Sequence, residues 1–213
     1  MKYTDVIWDF NGTIIDDVAV GIDSVNKLLR DRRLDIIESD EQYRRVFRFP
    51  IKEYYRSLGF DFDAEPYEKI APLWVKEYLD RCKNAPLREG FSEAFELFRS
   101  LGVKQHILSA TELSMLKGQL DFYGITDNFD SIYGLGDIHA HSKTDLAKRW
   151  REEHPHSVAL FIGDTEHDFA AANAMDADCA LVCGGHQTKE TLRSCVSTVY
   201  DSIKDLCDTF TEN

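Results

Sequence analysis

Six short runs of β-type residues alternate with helical patterns along the chain, and this alternation limits the folds that the sequence can adopt. The runs are DVIWD, KQHILSA, SIYGLG, SVALFIGD, CALVCGG and STVYD, and each is followed by a polar or glycine-containing turn. Several of them are nearly continuous apolar stretches, which is typical of strands covered on both faces. The sequence therefore predicts an α/β fold, a Rossmann-like parallel sheet with helices on both sides.

Two of the intervening helices have a clear apolar face. The apolar positions at helical spacing are Phe91, Phe95 and Phe98 in one helix, and Ile203, Leu206, Cys207 and Phe210 in the other. Such stripes are expected on helices that pack against a sheet.

The stretch from about residue 17 to 88 breaks the alternation, because it contains helical patterns but no convincing strand. Two apolar stripes mark its first and last helices: Val18, Ile22, Val25 and Leu29, and then Tyr67, Ile70, Trp74 and Tyr78. We predict a helical cap domain, residues 17–88, inserted into a core domain made of residues 1–16 and 89–213. The joins near Asp16 and at NAPLREG are the predicted hinges.

The charge balance argues against some classes of partner. Lys and Arg number 25 against 38 Asp and Glu, a net charge of -13, which repels nucleic acid and anionic membrane surfaces. No apolar run approaches the length of a membrane span, and the N-terminal residues do not resemble a signal peptide. The five cysteines lack a metal-binding spacing. We therefore predict a cytoplasmic protein that binds neither nucleic acid nor membranes, and its oligomeric state stays open.

Polar residues follow several of the predicted strands. Ligands of an open parallel sheet bind outside the carboxyl ends of its strands, where the strand order reverses. Taken singly, each of these residues has an ordinary structural explanation, such as a helix cap, a turn or a salt bridge. Together they predict one phosphate site, and its members are Asp9, Asn11, Gly12, Thr13, Ser109, Lys143, Asp164 and Asp168.

These motifs resemble those of the haloacid dehalogenase-like superfamily, and within it the phosphoglycolate-phosphatase-like branch with a helical cap after the first strand. DFNGT, ILSA, SKTDLA and GDTEHD stand in the family's order, and VCGGHQTKETL is similar to the segment that follows them in this branch. The resemblance covers essentially the whole chain. It implies a Mg2+-dependent phosphatase that acts on a small phosphorylated metabolite.

The resemblance also implies roles for the carboxylates. Asp9 would be the nucleophile and form an aspartyl-phosphate. The metal-site residues would be Asp9, the backbone carbonyl of Asn11, Asp164 and Asp168, where Asp168 orients a metal-bound water or Lys143. Oxygen donors of this kind suit Mg2+.

A second group of residues is predicted to hold the phosphate. The Ser109 hydroxyl and the Ala110 backbone N–H would bind phosphate oxygens, with Thr13 nearby, and Lys143 would balance their charge. Gly12 would permit the tight turn that brings backbone N–H groups toward the phosphate.

Asn11 departs from the family pattern, which has an Asp here that protonates the leaving oxygen and then activates water. A carboxamide cannot exchange a proton at neutral pH, and the loss of a general acid/base typically costs about 10²- to 10⁴-fold in rate. The loss should be smaller for aryl and acyl phosphates than for alkyl phosphates. Three explanations stay open: a slow or specialised phosphatase, a catalytically weak phosphometabolite-binding or regulatory protein, and an engineered Asp-to-Asn change.

Substrate choice is expected to lie in the insertion. Arg48, in the basic and aromatic stretch RRVFRFPIKEYYR, is predicted to recognise a second anionic group such as the carboxylate of phosphoglycolate. The alternative is a solvated basic face, because Pro50 interrupts the helical register. A Schiff-base lysine, as in phosphonate-cleaving relatives, is a further alternative, although no candidate sits in a motif for that chemistry; the candidates are Lys52, Lys69, Lys76 and Lys83.

Overall fold

A six-stranded parallel sheet forms the centre of the molecule. The computed structural model describes residues 2–136 and 142–211, which include every predicted site residue. The strands are β1 (Asp5–Trp8), β2 (Lys104–Glu112), β3 (Ser131–Leu135), β4 (Ala159–Gly163), β5 (Asp178–Val182) and β6 (Val199–Tyr200). All neighbouring strands are parallel, and the predicted α/β fold is confirmed.

The strand order is β3-β2-β1-β4-β5-β6. The chain proceeds from β1 to one edge of the sheet and then returns to build the other side from β4 onward. The order therefore reverses between β1 and β4, and the crevice outside their carboxyl ends is the expected ligand site. Asp9 follows β1 and Asp164 follows β4, so both stand at this reversal.

Helices cover the sheet and form the insertion. The inserted helices are α1 (Val18–Asp31), α2 (Asp40–Val46), α3 (Ile51–Ser57) and α4 (Tyr67–Arg81). The remaining helices are α5 (Phe91–Ser100), α6 (Leu113–Tyr123), α7 (Lys143–Glu153), α8 (Glu166–Ala174), α9 (Lys189–Cys195) and α10 (Ile203–Thr211). Across the described ranges, none of the helices has both the length and the apolar character needed to cross a membrane.

The apolar core is divided between the two faces of the sheet. Successive side chains of a strand point to opposite faces, so Val6 and Trp8 belong to one buried cluster and Ile7 to another. The insertion has a separate buried cluster that includes Val25 and Tyr55. A core of its own supports the predicted cap domain, whose exact boundaries stay a prediction.

A buried glutamine ties β1, β2 and α5 together. Trp8 Nε1 donates a hydrogen bond to Gln105 Oε1 at 3.0 Å, and Gln105 Nε2 donates to the Phe95 carbonyl at 2.9 Å. The Trp8 indole N–H and the Gln105 amide are both buried, so each needs a hydrogen-bond partner inside the protein.

Gln105→Leu is expected to lower the free energy of unfolding by about 1–3 kcal/mol, because it leaves the Trp8 indole N–H without an acceptor. Gln119→Leu is the matched control, since the Gln119 amide is buried but neither of its polar atoms has a partner. Urea denaturation should show little or no loss for Gln119→Leu. Equal losses in the two variants would contradict the assigned role of Gln105.

Candidate active site

Lys143 lies between two carboxylates at the carboxyl edge of the sheet. It is the first residue of α7, and its Nζ donates to Asp9 Oδ1 and to Asp168 Oδ1. None of the three residues is more than 7% exposed. Because charges buried this deeply are stable only when paired, these contacts fix the position of the Asp9 carboxylate.

Asp164 completes a cluster of three carboxylates. One oxygen from each of Asp9, Asp164 and Asp168 can be chosen so that all lie within 4.8 Å of one another. Thr13 Oγ1 donates to Asp164 Oδ1 at 3.0 Å, and the backbone N–H of His186 donates to Asp164 Oδ2 at 2.6 Å. The cluster thus carries more negative charge than Lys143 alone can balance.

The pKa values of the cluster reflect this excess of negative charge. Burial raises the pKa of Asp9 well above its usual range; Lys143 opposes the shift, and repulsion from Asp168 and Asp164 adds to it. The pKa of Asp164 is also raised, chiefly by burial. A divalent cation would offset the charge and favour the ionised carboxylates. The hard oxygen donors of this cluster therefore fit Mg2+.

Asp168 has two structural tasks. Its Oδ2 caps the start of α8, where it accepts hydrogen bonds from the Thr165 N–H at 2.8 Å and the Thr165 hydroxyl at 2.7 Å. It also accepts from the Asp164 N–H at 3.0 Å, while its other oxygen holds Lys143. The carboxylate is thus a helix cap that also positions Lys143.

Asn11 is held in place by three side chains. Its Nδ2 donates to Asp17 Oδ2 at 2.8 Å and to the Tyr78 hydroxyl oxygen at 2.7 Å, and its Oδ1 accepts from Thr111 Oγ1 at 2.8 Å. Tyr78 in turn donates its proton to Asp17 Oδ2 at 2.6 Å. The Asn11 amide therefore has matched partners from the insertion and from the α/β core.

Asp17 also forms a buried pair with His186. Asp17 Oδ1 accepts from the Gly12 N–H at 2.8 Å and lies 3.3 Å from His186 Nε2, while His186 Nδ1 lies 2.8 Å from the Tyr43 hydroxyl. Burial by itself lowers the pKa of His186, but the Asp17 carboxylate outweighs it and the pKa rises to about 9. The pKa of Asp17 is lowered in spite of burial, mainly by His186. Asp17 and His186 are therefore an ion pair at neutral pH.

A cavity of about 370 Å³ extends from Asp9 into the insertion. Asn11, Ser109, Ala110 and Lys143 also line it, whereas Thr13 is turned toward Asp164 and does not. Phe49 and His167 stack with ring centroids 3.5 Å apart, which connects the insertion to α8. The aromatic walls of the cavity consist of Tyr43, Phe47, Phe49, Tyr54, Tyr55, Trp74, Tyr78 and His167.

The residues at the carboxyl edge come together as the motifs predicted, with one difference in the secondary structure. The predicted strand run KQHILSA stops at Ala110, but β2 continues to Glu112 with an irregular register after Leu108. Ser109 Oγ accepts from the Thr111 N–H at 3.1 Å within this irregular segment. A hydroxyl that accepts one hydrogen bond can still donate its proton to a phosphate oxygen.

Arg48 is not brought to the site. Its side chain is exposed and its Nε donates to the Val46 carbonyl at 3.0 Å. Because α2 ends at Val46 and α3 begins only at Ile51, the basic stretch does not form one continuous helical face. The four lysines proposed for Schiff-base chemistry are also not among the residues that line the cavity.

Some members of the site had little or no signal in the sequence. Asp17 stood at the predicted domain join, Tyr78 belonged to an apolar stripe, and Thr111 belonged to no motif. His186 lies in VCGGHQTKETL, a segment that resembles the family but does not indicate a role for this histidine. Their importance depends on distances across the fold, which spacing along the chain does not reveal.

Gly12 is required by its conformation and by its neighbours. Its φ is +74°, and a Cβ at this position would lie 2.5 Å from Asp164 Oδ2 and 2.7 Å from His186 Cδ2. Backbone approaches of this kind are possible only without a side chain.

Gly12→Ala is expected to destabilise the fold and to weaken Mg2+ binding, because the new methyl group displaces Asp164. Gly102→Ala is the matched control, since Gly102 has a φ of +72° but nothing within 4 Å of its Cβ position. We expect about 1 kcal/mol of lost unfolding free energy for Gly102→Ala and at least twice that for Gly12→Ala. Urea denaturation and calorimetric Mg2+ titration measure both effects, and equal behaviour of the variants would refute the contact.

Comparison with known proteins agrees with this geometry. The family model described as haloacid dehalogenase-like hydrolase matches residues 6–182. A protein from Caldanaerobacter subterraneus, provisionally named pyrophosphatase PpaX, is 24% identical over 188 residues, which are 82% of this chain and 79% of the relative.

Solved structures share the fold over almost the full length of the chain. A haloacid dehalogenase-like hydrolase from Streptococcus pneumoniae has a TM-score of 0.83 and 17% identity, with 98% of this chain and 99% of that chain covered. CbbY from Rhodobacter sphaeroides, solved in complex with phosphate, has a TM-score of 0.72 and 18% identity, with 96% of each chain covered. The predicted family and hydrolase class are confirmed: this chain belongs to the haloacid dehalogenase-like hydrolases.

Proposed function

We propose that the protein is a Mg2+-dependent phosphatase that hydrolyses a small phosphomonoester through an aspartyl-phosphate on Asp9. The observation that carries this proposal is the Asp9 carboxylate, buried at the floor of a cavity, held by Lys143 and surrounded by further carboxylates. The phosphatase and pyrophosphatase names of several relatives agree with the same chemistry.

Asp9, Asp164 and the backbone carbonyl of Asn11 would hold the metal ion. Asp168 Oδ1 accepts from the Lys143 ammonium and its Oδ2 accepts three hydrogen bonds at the start of α8, so its task in this proposal is to position Lys143. When bound, Mg2+ offsets the charges of the phosphate and the attacking carboxylate.

The reaction proceeds in two displacements at phosphorus. The Asp9 carboxylate attacks in line, the bond between phosphorus and the ester oxygen breaks, and that oxygen leaves with the electron pair. The leaving oxygen takes its proton from solvent. Water then attacks the phosphorus of the aspartyl-phosphate, the bond between phosphorus and the Asp9 oxygen breaks, and the proton lost by the water passes to solvent. Phosphate is released and Asp9 is restored. Ser109, the Ala110 N–H and Lys143 bind the phosphate oxygens in both displacements.

The step most affected by Asn11 is proton transfer to the leaving oxygen. Both N–H groups of the Asn11 amide are already donated, to Asp17 and to Tyr78, and an amide cannot supply a proton to the leaving oxygen. The same observation favours the second candidate, a catalytically weak phosphometabolite-binding or regulatory protein. The two candidates differ in turnover and not in the predicted metal and phosphate contacts.

Hydrolysis of p-nitrophenyl phosphate tests the phosphatase directly. We expect slow turnover that requires Mg2+ and is lost in Asp9→Ala, because the aspartyl-phosphate can no longer form. Asp127→Ala, a change at an exposed aspartate away from the site, serves as the control. Turnover without metal, or undiminished turnover in Asp9→Ala, would rule out the mechanism.

The Asn11 and Asp17 pair allows a test of the missing proton transfer. Asn11→Asp alone sets a second carboxylate about 2.8 Å from Asp17, and two carboxylates at this distance cannot both stay ionised. The double variant Asn11→Asp/Asp17→Asn keeps one carboxylate and one amide but exchanges their positions. We expect it to hydrolyse glycerol phosphate about 10- to 100-fold faster than the unmodified chain.

Steady-state rates at pH 8 for both single variants and the double variant give the comparison. Asn11→Asp should be less stable to heat than the double variant, because of carboxylate repulsion. Asp17→Asn alone shows what the loss of the His186 ion pair costs. If neither the unmodified chain nor the double variant turns over substrate, although both bind Mg2+ and phosphate, the binding or regulatory function replaces the phosphatase.

A further inference from the structure

The cavity above Asp9 is larger and less polar than a phosphate group needs. Its volume of about 370 Å³ falls within the range of small-molecule sites. Polar groups for the phosphate lie at its floor, whereas Phe47, Tyr55, Trp74 and Leu79 form part of its walls. The upper part of the cavity is therefore suited to the organic group of an ester.

The cations of the cavity are already committed. Among the described residues that line it, Lys143 is paired with Asp9 and Asp168 and His186 with Asp17. The ring of His167 stacks on Phe49, with centroids 3.5 Å apart. Across residues 2–136 and 142–211, no arginine lines the cavity.

The arginines of the stretch RRVFRFPIKEYYR have other partners. Arg44 donates to the carbonyl oxygens of Gly185 at 2.7 Å and Gly184 at 3.0 Å. Arg45 pairs with Glu41, and Arg56 pairs with Glu53. The cavity wall also includes the carboxylate-bearing Glu112. A second anionic group on the substrate would meet no free cation here.

Two buried polar groups of the wall have no partner. Among the described residues, none forms a hydrogen bond with the amide atoms of Gln119 or the hydroxyl of Tyr54, although Gln119 is only 5% and Tyr54 only 3% exposed. Buried polar groups are nearly always paired, so each of these needs an explanation. Both residues line the same cavity, so a ligand there would supply the missing partners once these buried polar atoms turn toward it.

We propose that the organic group of the substrate is a flat, uncharged ring with an amide-like edge, packed between the aromatic walls and bound by the amide of Gln119. A primary amide offers an N–H donor beside a carbonyl acceptor, so it pairs best with a group that has the complementary acceptor and donor. Aromatic walls favour a flat ring, and the lack of a free cation disfavours a carboxylate. This inference rests on the proposed phosphatase, because it takes the phosphate to bind beside Asp9.

Binding of three benzylphosphonates tests the proposal without turnover. The probes are benzylphosphonate, 4-carbamoylbenzylphosphonate and 4-carboxybenzylphosphonate, titrated calorimetrically into the protein in the presence of MgCl2. The last two are matched in shape and differ in charge. We expect the carbamoyl compound to bind roughly fivefold more tightly than benzylphosphonate, and the carboxy compound to bind more weakly than both.

Variants assign the preference to Gln119. In Gln119→Leu, the carbamoyl compound should lose its advantage over benzylphosphonate, while the melting temperature stays equal or rises because an unpartnered amide is removed. Gln42→Leu is the matched control, since Gln42 is exposed and outside the cavity, and it should keep the preference. Stronger binding of the carboxy compound, or an unchanged preference in Gln119→Leu, overturns the proposal.

The outcome for binding is separate from the outcome for catalysis. If the carbamoyl preference is present but p-nitrophenyl phosphate is not hydrolysed, the inferred ligand class holds and the phosphatase fails. If hydrolysis requires Asp9 but all three phosphonates bind alike, the phosphatase holds and the inferred ligand class fails. If none of the phosphonates binds, the cavity is not the site of the organic group.

Discussion

The paired contact of Lys143 with Asp9 and Asp168 is the interaction on which the site depends. It joins the end of β1, the start of α7 and the start of α8, three elements that are distant along the chain. Since all three groups are buried, the loss of Lys143 would leave two carboxylates in the interior without their cationic partner. The fold of the carboxyl edge and the position of the Asp9 carboxylate are therefore fixed together.

Much of the fold and part of the site could be predicted from the sequence for a physical reason. Strands buried on both faces need continuous apolar runs, and residues that follow parallel strands meet at one edge, so Asp9 and Asp164 could be placed from order alone. The partners of Asn11 could not, because Asp17 and Tyr78 approach it only where the insertion packs on the core, and Thr111 only where β2 lies beside β1. Arg48 does not line the cavity, and its orientation could not be predicted because composition does not tell which way a side chain points.

The folded structure gives Asn11 a role that its position in the motif does not suggest. In the motif, Asn11 stands where the family has an aspartate. In the structure it is one half of a pair, since the Asp17 carboxylate accepts the hydrogen bond that the amide donates. An aspartate at position 11 would instead face a second negative charge, so the two positions have to be considered together.

Tyr78 belongs both to the cavity wall and to the hydrogen-bond network of Asn11. Most cavity-wall residues of the insertion, such as Trp74, form no hydrogen bond to the carboxyl edge of the sheet within the described residues. Natural variation at such positions can change which molecules fit without touching the reacting groups. At Tyr78 the two properties are linked, so the evolution of a new specificity through this residue would also alter the reactivity of the site.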